Sequence, residues 1–510
     1  MTRHFNTAGP CKPELHYMLS PFDRIPEVRG LVEQQAYFVI HAPRQIGKTT
    51  AMMAMADALT ASGQYVAVLV TVEEADVFPD DIRAAEAAML RSWFENAQDR
   101  LPEELAPQEI WGRVEAGQNV RSALRAWAKA AARPLVLFVD EIDTLQDQVL
   151  VSVLRQLQSG YANRPKNFPS SVALIGMRDV HDYKVASGGS ERLNTASPFN
   201  IKMRSLTLRS FRLDEVAKLY GQHTEETGQA FHADAVAVAF ELTQGQPWLV
   251  NALAKVVVEE LLGDRSCMVL PEHIQQAKEI LIRRQDTHLH SLFDRLREAR
   301  VRRIIAPLLS GESLDEAVLG DDIQFVIDLG LCRLAADDGL VIANPIYREI
   351  LPRVLSFNTI AALPTISPIW LTSEGRLDPD ALLEAFIGFW RQHGQPLLKG
   401  VAYHEIAPHI VMMAFLHRVA NGGGTIEREY AIGSRRMDIC LRYGETSIGM
   451  ELKVWRDGEK DPLAQGLVQL DGYLAGLGLG GGWLVIFDQR QGLVAIEERT
   501  TVEGCDQNLM

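Results

Sequence analysis

Lys48-Thr49-Thr50, entered through Pro43-Arg44-Gln45-Ile46-Gly47, is a set of residue types that can grip a phosphate chain. The backbone N–H groups of such a turn, with the positive end of the helix behind it, cradle phosphate oxygens. The Lys48 ammonium can reach the β- and γ-phosphates, and the Thr49 hydroxyl can complete a Mg2+ shell. An apolar run, Tyr37-Phe38-Val39-Ile40, precedes the turn, and a helical pattern, Ala51 to Thr60, follows it. Strand, phosphate loop and helix in that order predict a site for ATP and Mg2+. Ala42 stands where the pattern asks for its first glycine, so the loop must open at a backbone angle that alanine tolerates.

Roughly 90 residues later, the apolar run Leu135-Val136-Leu137-Phe138-Val139 ends in Asp140-Glu141. Asp140 is expected to hold Mg2+ through water, and Glu141 to polarise an attacking water as general base. Two acids are needed because a carboxylate neutralised by metal cannot also accept a proton. A further run, Val172 to Gly176, leads to Met177-Arg178-Asp179, where Arg178 or Asp179 could sense a γ-phosphate; a surface arginine at a strand end is the plain alternative. Thr243-Gln244-Gly245-Gln246-Pro247 then opens a helix, with Pro247 either near the nucleotide or simply at the first helical position.

A second constellation lies near the C-terminus. Arg435 to Leu441 reads as a strand, Tyr443-Gly444-Glu445 as a turn, and Ser447 to Trp455 as a second strand. Glu451 and Lys453 are two apart and share one face, while Ile448, Met450, Leu452 and Val454 take the other. A hairpin would bring Asp438 beside Glu451. Two carboxylates and a lysine can bind Mg2+ and activate water against a phosphodiester, with Lys453 positioning the water or neutralising developing charge. An exposed Glu-x-Lys is also a common solvated strand face.

These residues need elements to carry them. Tyr37–His41, Tyr65–Thr71, Leu135–Val139 and Ser171–Gly176 are short runs, apolar on both faces, alternating with amphipathic helical stretches. That pattern predicts a parallel sheet covered by helices. From about Ser210 the chain turns helical. Near its middle, Cys332-Arg333-Leu334 and Leu340-Val341-Ile342 form a hairpin signal, and helices closed by a hairpin suggest a winged helix. The expected domains are an ATPase core over 1–207, a helical lid over 208–285, a winged helix over 286–357, a proline-bearing linker over 358–381 and a C-terminal domain over 382–510. The fold class is α/β, with the helical lid and winged helix set between two α/β domains.

Length and composition set limits. The chain has 510 residues and a formal net charge of −15. Proteins that coat nucleic acid are usually basic, so any such contact must be local. Residues 399–510 hold 11 Lys and Arg against 15 Asp and Glu; Arg435, Arg436, Arg297, Arg300, Arg302 and Arg303 are the candidate patches. Five scattered cysteines without a CxxC pair argue against structural zinc and disulfides, and fit a reducing cytoplasm. No apolar run approaches a membrane span, and the first residues hold no secretion signal.

The segments Phe5-Asn6-Thr7-Ala8-Gly9-Pro10, His16-Tyr17-Met18, His41-Ala42-Pro43-Arg44-Gln45, Ser197-Pro198-Phe199-Asn200-Ile201 and Asn344-Pro345-Ile346-Tyr347 together resemble a bacterial family of AAA-like ATP-binding proteins. The resemblance covers roughly residues 1–355 and implies a P-loop NTPase core of AAA+ or STAND type, a lid and a winged helix. Asp438 and Glu451-Leu452-Lys453, 13 positions apart, resemble the PD-(D/E)xK nuclease superfamily, with its restriction-endonuclease-like α/β fold. Gln469 and Tyr473 on the following helix look like the accessory motif of its RecB-like members. Met437 replaces the superfamily's proline, and Glu405 and Glu427 are both open as a further acid. The function these resemblances imply is ATP-regulated cleavage of nucleic acid, DNA ahead of RNA, by a cytoplasmic protein, with defence or mobile elements as the setting. An ATP-switched regulator whose last domain cuts nothing is the rival. Such modules form rings in which a neighbour lends an arginine, for which Arg178 and Arg192 are the candidates.

Overall fold

The computed structural model describes residues 3–107, 115–178, 201–284, 295–310, 314, 320–335, 339–351, 369–400, 411–413, 415–416, 419, 424–432, 435–490 and 492–504. Asp179, Arg192, Ser197–Asn200 and Glu405 lie outside them. The chain divides into two compact units, Met1–Arg284 with Ile327–Leu331, and Gln285–Val326 with Cys332–Met510.

The first unit is built on five parallel strands: β1 (Tyr37–His41), β2 (Val66–Thr71), β3 (Leu135–Asp140), β4 (Ser171–Gly176) and β5 (Lys202–Thr207), in the order β2-β3-β4-β1-β5. The sequence pattern finds the first four. It misses β5, an edge strand whose residues Lys202-Met203-Arg204-Ser205-Leu206-Thr207 hold only two apolar side chains, of which Leu206 is buried and Met203 exposed. The inner strands instead bury both faces. On one side Tyr37, Val39, Val68, Leu137, Val139 and Leu174 pack against Met89 and Trp93 of α4 (Ile82–Arg100), Trp127 of α5 (Asn119–Ala130) and Val153 of α6 (Asp147–Gly160). On the other, Phe38, Ile40, Leu69, Phe138 and Ile175 meet Met52 and Met55 of α3 (Lys48–Ala61), with Val28 and Val32 of α2 (Glu27–Glu33). A short α1 (Pro21–Arg24) precedes them. Each fully buried aliphatic or aromatic side chain contributes about 1.5–3 kcal/mol, so the sheet is a rigid base for the loops at its ends.

Four more helices follow β5: α7 (Leu213–Thr227), α8 (Ala233–Thr243), α9 (Pro247–Val256) and α10 (Pro271–Arg284). Phe5 is wholly buried in their aromatic cluster, with rings of Tyr17, Tyr220, His223 and Phe231 around it.

The second unit holds α11 (Ala299–Ser310), the N-terminal part of α12 (Gly320–Asp328), and the antiparallel hairpin β6 (Cys332–Leu334) and β7 (Leu340–Ile342). Its larger body starts with α13 (Pro379–Gly400) and contains a four-stranded sheet, β8 (Gly424–Ile432), β9 (Arg435–Tyr443), β10 (Thr446–Trp455) and β11 (Gly482–Asp488), ordered β11-β10-β9-β8. The first three strands are antiparallel and β11 runs parallel to β10 after the crossover helix α14 (Leu463–Leu477); α15 (Ile496–Arg499) comes last. The sequence reading has two strands before that crossover; β8 is the addition, its charges at Glu427, Arg428 and Glu429 masking an edge strand. One sheet face buries Ile426, Ile439, Leu441, Met450 and Leu452 against Phe386, Phe389 and Phe415. Trp370 and Leu377, within the expected linker, belong to this core as well. On the other face Cys440 packs on Tyr473 of α14.

Candidate functional site

β1 delivers the chain to a turn that only unusual backbone angles can close. Gln45 and Gly47 take positive φ values of 62° and 86°, and a glycine accepts this at least cost. Lys48 begins α3, so the loop's N–H groups and the helix end converge there. The Lys48 ammonium donates to the carbonyls of Ala42 at 2.7 Å and Pro43 at 2.9 Å. Ala42 itself is buried with an ordinary negative φ, so no glycine is required at that position. Pro43, Arg44, Gln45 and Ile46 complete the turn, and Ile46 is anchored in the core. Thr50, beside Thr49, accepts from the backbone N–H of Cys11 at 3.0 Å.

The acids come from the neighbouring strand end. Thr49 Oγ1 donates to Asp140 Oδ2 at 2.7 Å, and the Glu141 N–H donates to Asp140 Oδ1 at 3.0 Å. Asp140 is 3% exposed. Burial raises its pKa, against the pull of those two hydrogen bonds. The Glu141 carboxyl is also raised, by burial first and then by the charges of Asp140 and Asp143. Lys48 is pushed the other way: burial lowers it, and Asp143, Asp140 and Glu141 oppose the drop. A Thr hydroxyl facing a buried carboxylate, beside a lysine and a positive-φ turn, is a donor set that fits a Mg2+–triphosphate.

Two other parts of the first unit reach the loop. Arg24, 8% exposed, donates to the carbonyls of Ile46 at 3.0 Å and Arg209 at 2.6 Å and stacks over Phe211. Burial lowers its pKa to about 10. Gln246 caps α9, accepting from Leu249 N–H at 2.6 Å, and its amide donates to Gln45 O at 3.4 Å. Pro247 is buried at the first position of α9. So the Gly245-Gln246-Pro247 turn does meet the phosphate loop. Arg24 carries no recognisable sequence signal; Asp143 could have been noticed as a third acid three residues after Asp140.

In the second unit the Lys453 ammonium lies 2.8 Å from Glu451 Oε1, with Glu451 only 3% exposed. On β10 Met450 faces Ile439 as the last pair of that ladder, and Glu451 and Asp438 are the next residues on their two strands. The strand position of Asp438 is described; its side chain, like those of Arg435, Arg436 and Arg297, lies outside the described residues. Arg428 faces Ile439 and Tyr430 faces Met437, which puts Glu429 at the level of Asp438, whereas Glu427 faces Cys440. Glu429 is an acid the sequence reading overlooked. Tyr473 packs on Cys440, and Gln469 Oε1 is buried without a hydrogen-bond partner among the described residues. Among the described residues no group of three or more His, Cys, Asp or Glu is arranged to hold a metal. An open groove of about 1780 Å3 in this unit is lined by Trp455, Trp483 and Arg490 but not by Glu451 or Lys453. Of the expected basic patch, Arg300 pairs with Glu298 at 2.9 Å and Arg303 with Asp322 at 3.7 Å.

The parallel sheet, the glycine–lysine–threonine turn and the acids at the end of β3 define a P-loop NTPase of the AAA-like ATPase class. The chain belongs to the AAA-like domain family, which matches residues 26–300. Among solved structures it is similar to a Walker-type ATPase of Pyrococcus abyssi, at 12% identity and a TM-score of 0.47 over 68% of this chain and 99% of that one. It is also similar to the ORC2 protein of Aeropyrum pernix, solved as ADPNP–ADP complexes, at 15% identity and 0.42 over 66% and 94%. A third is the RuvB Holliday junction branch migration motor of Thermotoga maritima, at 13% identity and 0.34 over 64% and 92%. No curated protein matches the chain in sequence. No described helix is long and apolar enough to cross a membrane.

Proposed function

We propose that the chain is an ATP hydrolase whose C-terminal body is a Mg2+-dependent nuclease-like domain, with nucleotide state governing cleavage of nucleic acid, DNA in preference to RNA. The observation that carries the first half is the Thr49–Asp140 hydrogen bond beside Lys48. Thr49 and Asp140 would hold Mg2+, which supplies charge neutralisation at the phosphates. Lys48 and the N–H groups of Arg44 to Thr50 bind the phosphate chain. Glu141 takes a proton from the attacking water, and Arg178, two residues past the end of β4, is read as the group that senses the γ-phosphate. Helices α7 to α10 act as a lid, with Gln246, next to Pro247, at its contact with the loop; α11, α12 and the β6–β7 hairpin are read as a winged helix.

The second half rests on the Glu451–Lys453 pair and on the strand position of Asp438, one residue beyond the last β9–β10 pair, Met450 with Ile439. The helix–strand–strand–helix–strand order expected of a PD-(D/E)xK core is supported by β9, β10, the crossover helix α14 and the parallel β11, with β8 as an extra strand at the edge. Asp438 and Glu451 would hold Mg2+; Lys453 positions water, and Gln469 and Tyr473 support the set from α14. A cytoplasmic, self-associating protein acting in defence or on mobile elements suits this combination by analogy.

The surplus of 15 acids over 11 bases in residues 399–510 favours a second reading, in which that body binds a protein partner under ATP control and cuts nothing. One assay separates them: plasmid, linear duplex and single-stranded substrates with Mg2+, with and without ATP. Cleavage lost in Glu451→Ala supports the nuclease; equal cutting by that variant rejects the site. ATP turnover that survives in Lys48→Ala rejects the nucleotide site.

A further inference from the structure

The acid strand end does not stop at Glu141. Glu141 takes a left-handed φ of 58°, rare for a residue with a β-carbon. That reversal starts a tight helical turn, Ile142–Thr144, closed by Thr144 N–H on the Glu141 carbonyl at 2.9 Å and by its hydroxyl on the same oxygen at 2.8 Å. Ile142 is wholly buried and fixes the turn in the core. The outcome is that Asp143 faces the neighbouring strand: its Oδ1 accepts from the Met177 N–H at 3.3 Å, just past the end of β4.

We propose that Asp143 is a positioning residue for ATP hydrolysis, pinning the end of β4, and with it Arg178, to the acid turn that carries Glu141. β3 and β4 are paired only as far as Val139 and Leu174. Beyond that level the ladder gives no hold between the two strand ends, and Asp143 supplies one. A strained φ kept next to a reacting group is the kind of local cost that surrounding structure must repay.

The inference rests on the reading that the first unit hydrolyses ATP, so the test has one arm that does not need turnover. Asp143→Asn keeps an acceptor oxygen for Met177 and drops the charge; Asp143→Ala drops both. Steady-state turnover with Mg2+ is expected to fall about tenfold or more in kcat for Asp143→Ala, with KM for ATP within about threefold, and to recover to within about threefold of the parent in Asp143→Asn. Hydrogen exchange of the peptide spanning residues 174–182 is expected to quicken about tenfold in Asp143→Ala and to stay at the parent rate in Asp143→Asn. Unchanged exchange and turnover in the alanine variant overturn the proposal. So does an asparagine variant as impaired as the alanine one, which would make the charge rather than the anchor decisive. A parent protein without turnover counts against the ATPase reading alone, while the exchange arm still decides the anchor.

Discussion

Thr49 and Asp140, 91 positions apart in sequence, are joined by a 2.7 Å hydrogen bond at the point where α3 begins and β3 ends. The bond ties the phosphate-binding helix to the acid strand. It holds a buried carboxylate whose charged form the fold resists, since burial raises its pKa. A carboxyl raised in the fold is one whose ionisation costs stability as pH climbs through the shifted range. Asp140→Asn keeps both hydrogen bonds, because the amide oxygen accepts from Glu141 N–H and the amide nitrogen donates to the Thr49 oxygen. Expected outcome: turnover falls about a hundredfold or more, while the melting temperature is unchanged or rises. A melting temperature several degrees lower, from calorimetry, would contradict this account of the site.

Gly245 predicts a sharper loss. Its φ is 72°, and a β-carbon there would run into the carbonyl oxygen of Phe211, whose own N–H donates to the Gly245 carbonyl at 2.8 Å. Neither backbone can yield, because Phe211 is also held by the Arg24 guanidinium. Gly245→Ala is expected to lose about 3 kcal/mol or more in a denaturant titration. Gly228→Ala, at φ 80° but with open space around it, is the control and should lose only about 1 kcal/mol.

A pH effect follows from Glu215, which caps α7. Its carboxylate accepts from Arg209 at 2.6 and 2.8 Å and from the Arg212 N–H at 2.8 Å. Burial works to raise its pKa, but these hydrogen bonds outweigh burial and the net shift is downward. A lowered folded pKa means stability that is present above the unfolded value, about 4.3, and is lost as pH falls through the folded value. Melting curves of the parent should therefore decline from about pH 4 downward more steeply than those of Glu215→Gln. At neutral pH that variant should be less stable by about 1–3 kcal/mol, discounted because Arg209 is partly exposed. Parallel pH profiles for the two proteins would show that Glu215 is no source of the fold's acid sensitivity.

What the sequence shows depends on whether a residue's role is local. Lys48, Thr49, Asp140 and Glu141 were legible because a phosphate loop and an acid strand end are short patterns with fixed chemistry. β1 and β4 were legible to the residue, being apolar on both faces. β5 and β8 were not: Lys202 and Arg204 in one, and the run Glu427-Arg428-Glu429 in the other, break the apolar pattern, and a short run rich in Lys, Arg or Glu reads equally as a loop. Arg24 was invisible because its partners, Ile46 and Arg209, are 22 and 185 positions away and offer only backbone carbonyls. Glu429 was missed for a related reason: only the β8–β9 register selects it over Glu427.

The Glu451–Lys453 pair yields a test that separates chemistry from scaffolding. The two side chains sit 2.8 Å apart on the β10 face opposite Met450 and Leu452, and Glu451 is nearly fully buried. Removing the lysine of such a pair leaves the buried carboxylate unneutralised, at a cost of about 3–5 kcal/mol. Lys453→Met is therefore expected to melt well below the parent whether or not the domain cuts nucleic acid. Glu451→Gln is the discriminating change, since it leaves a hydrogen-bonding side chain of the same shape beside Lys453 and an ammonium that reaches partial solvent. That variant should keep its melting temperature within a few degrees and lose metal-dependent cleavage by about a hundredfold or more. Calorimetry and plasmid nicking on the same preparation give both values. Intact cutting by Glu451→Gln would leave the pair as scaffold alone and turn the C-terminal body over to the partner-binding reading.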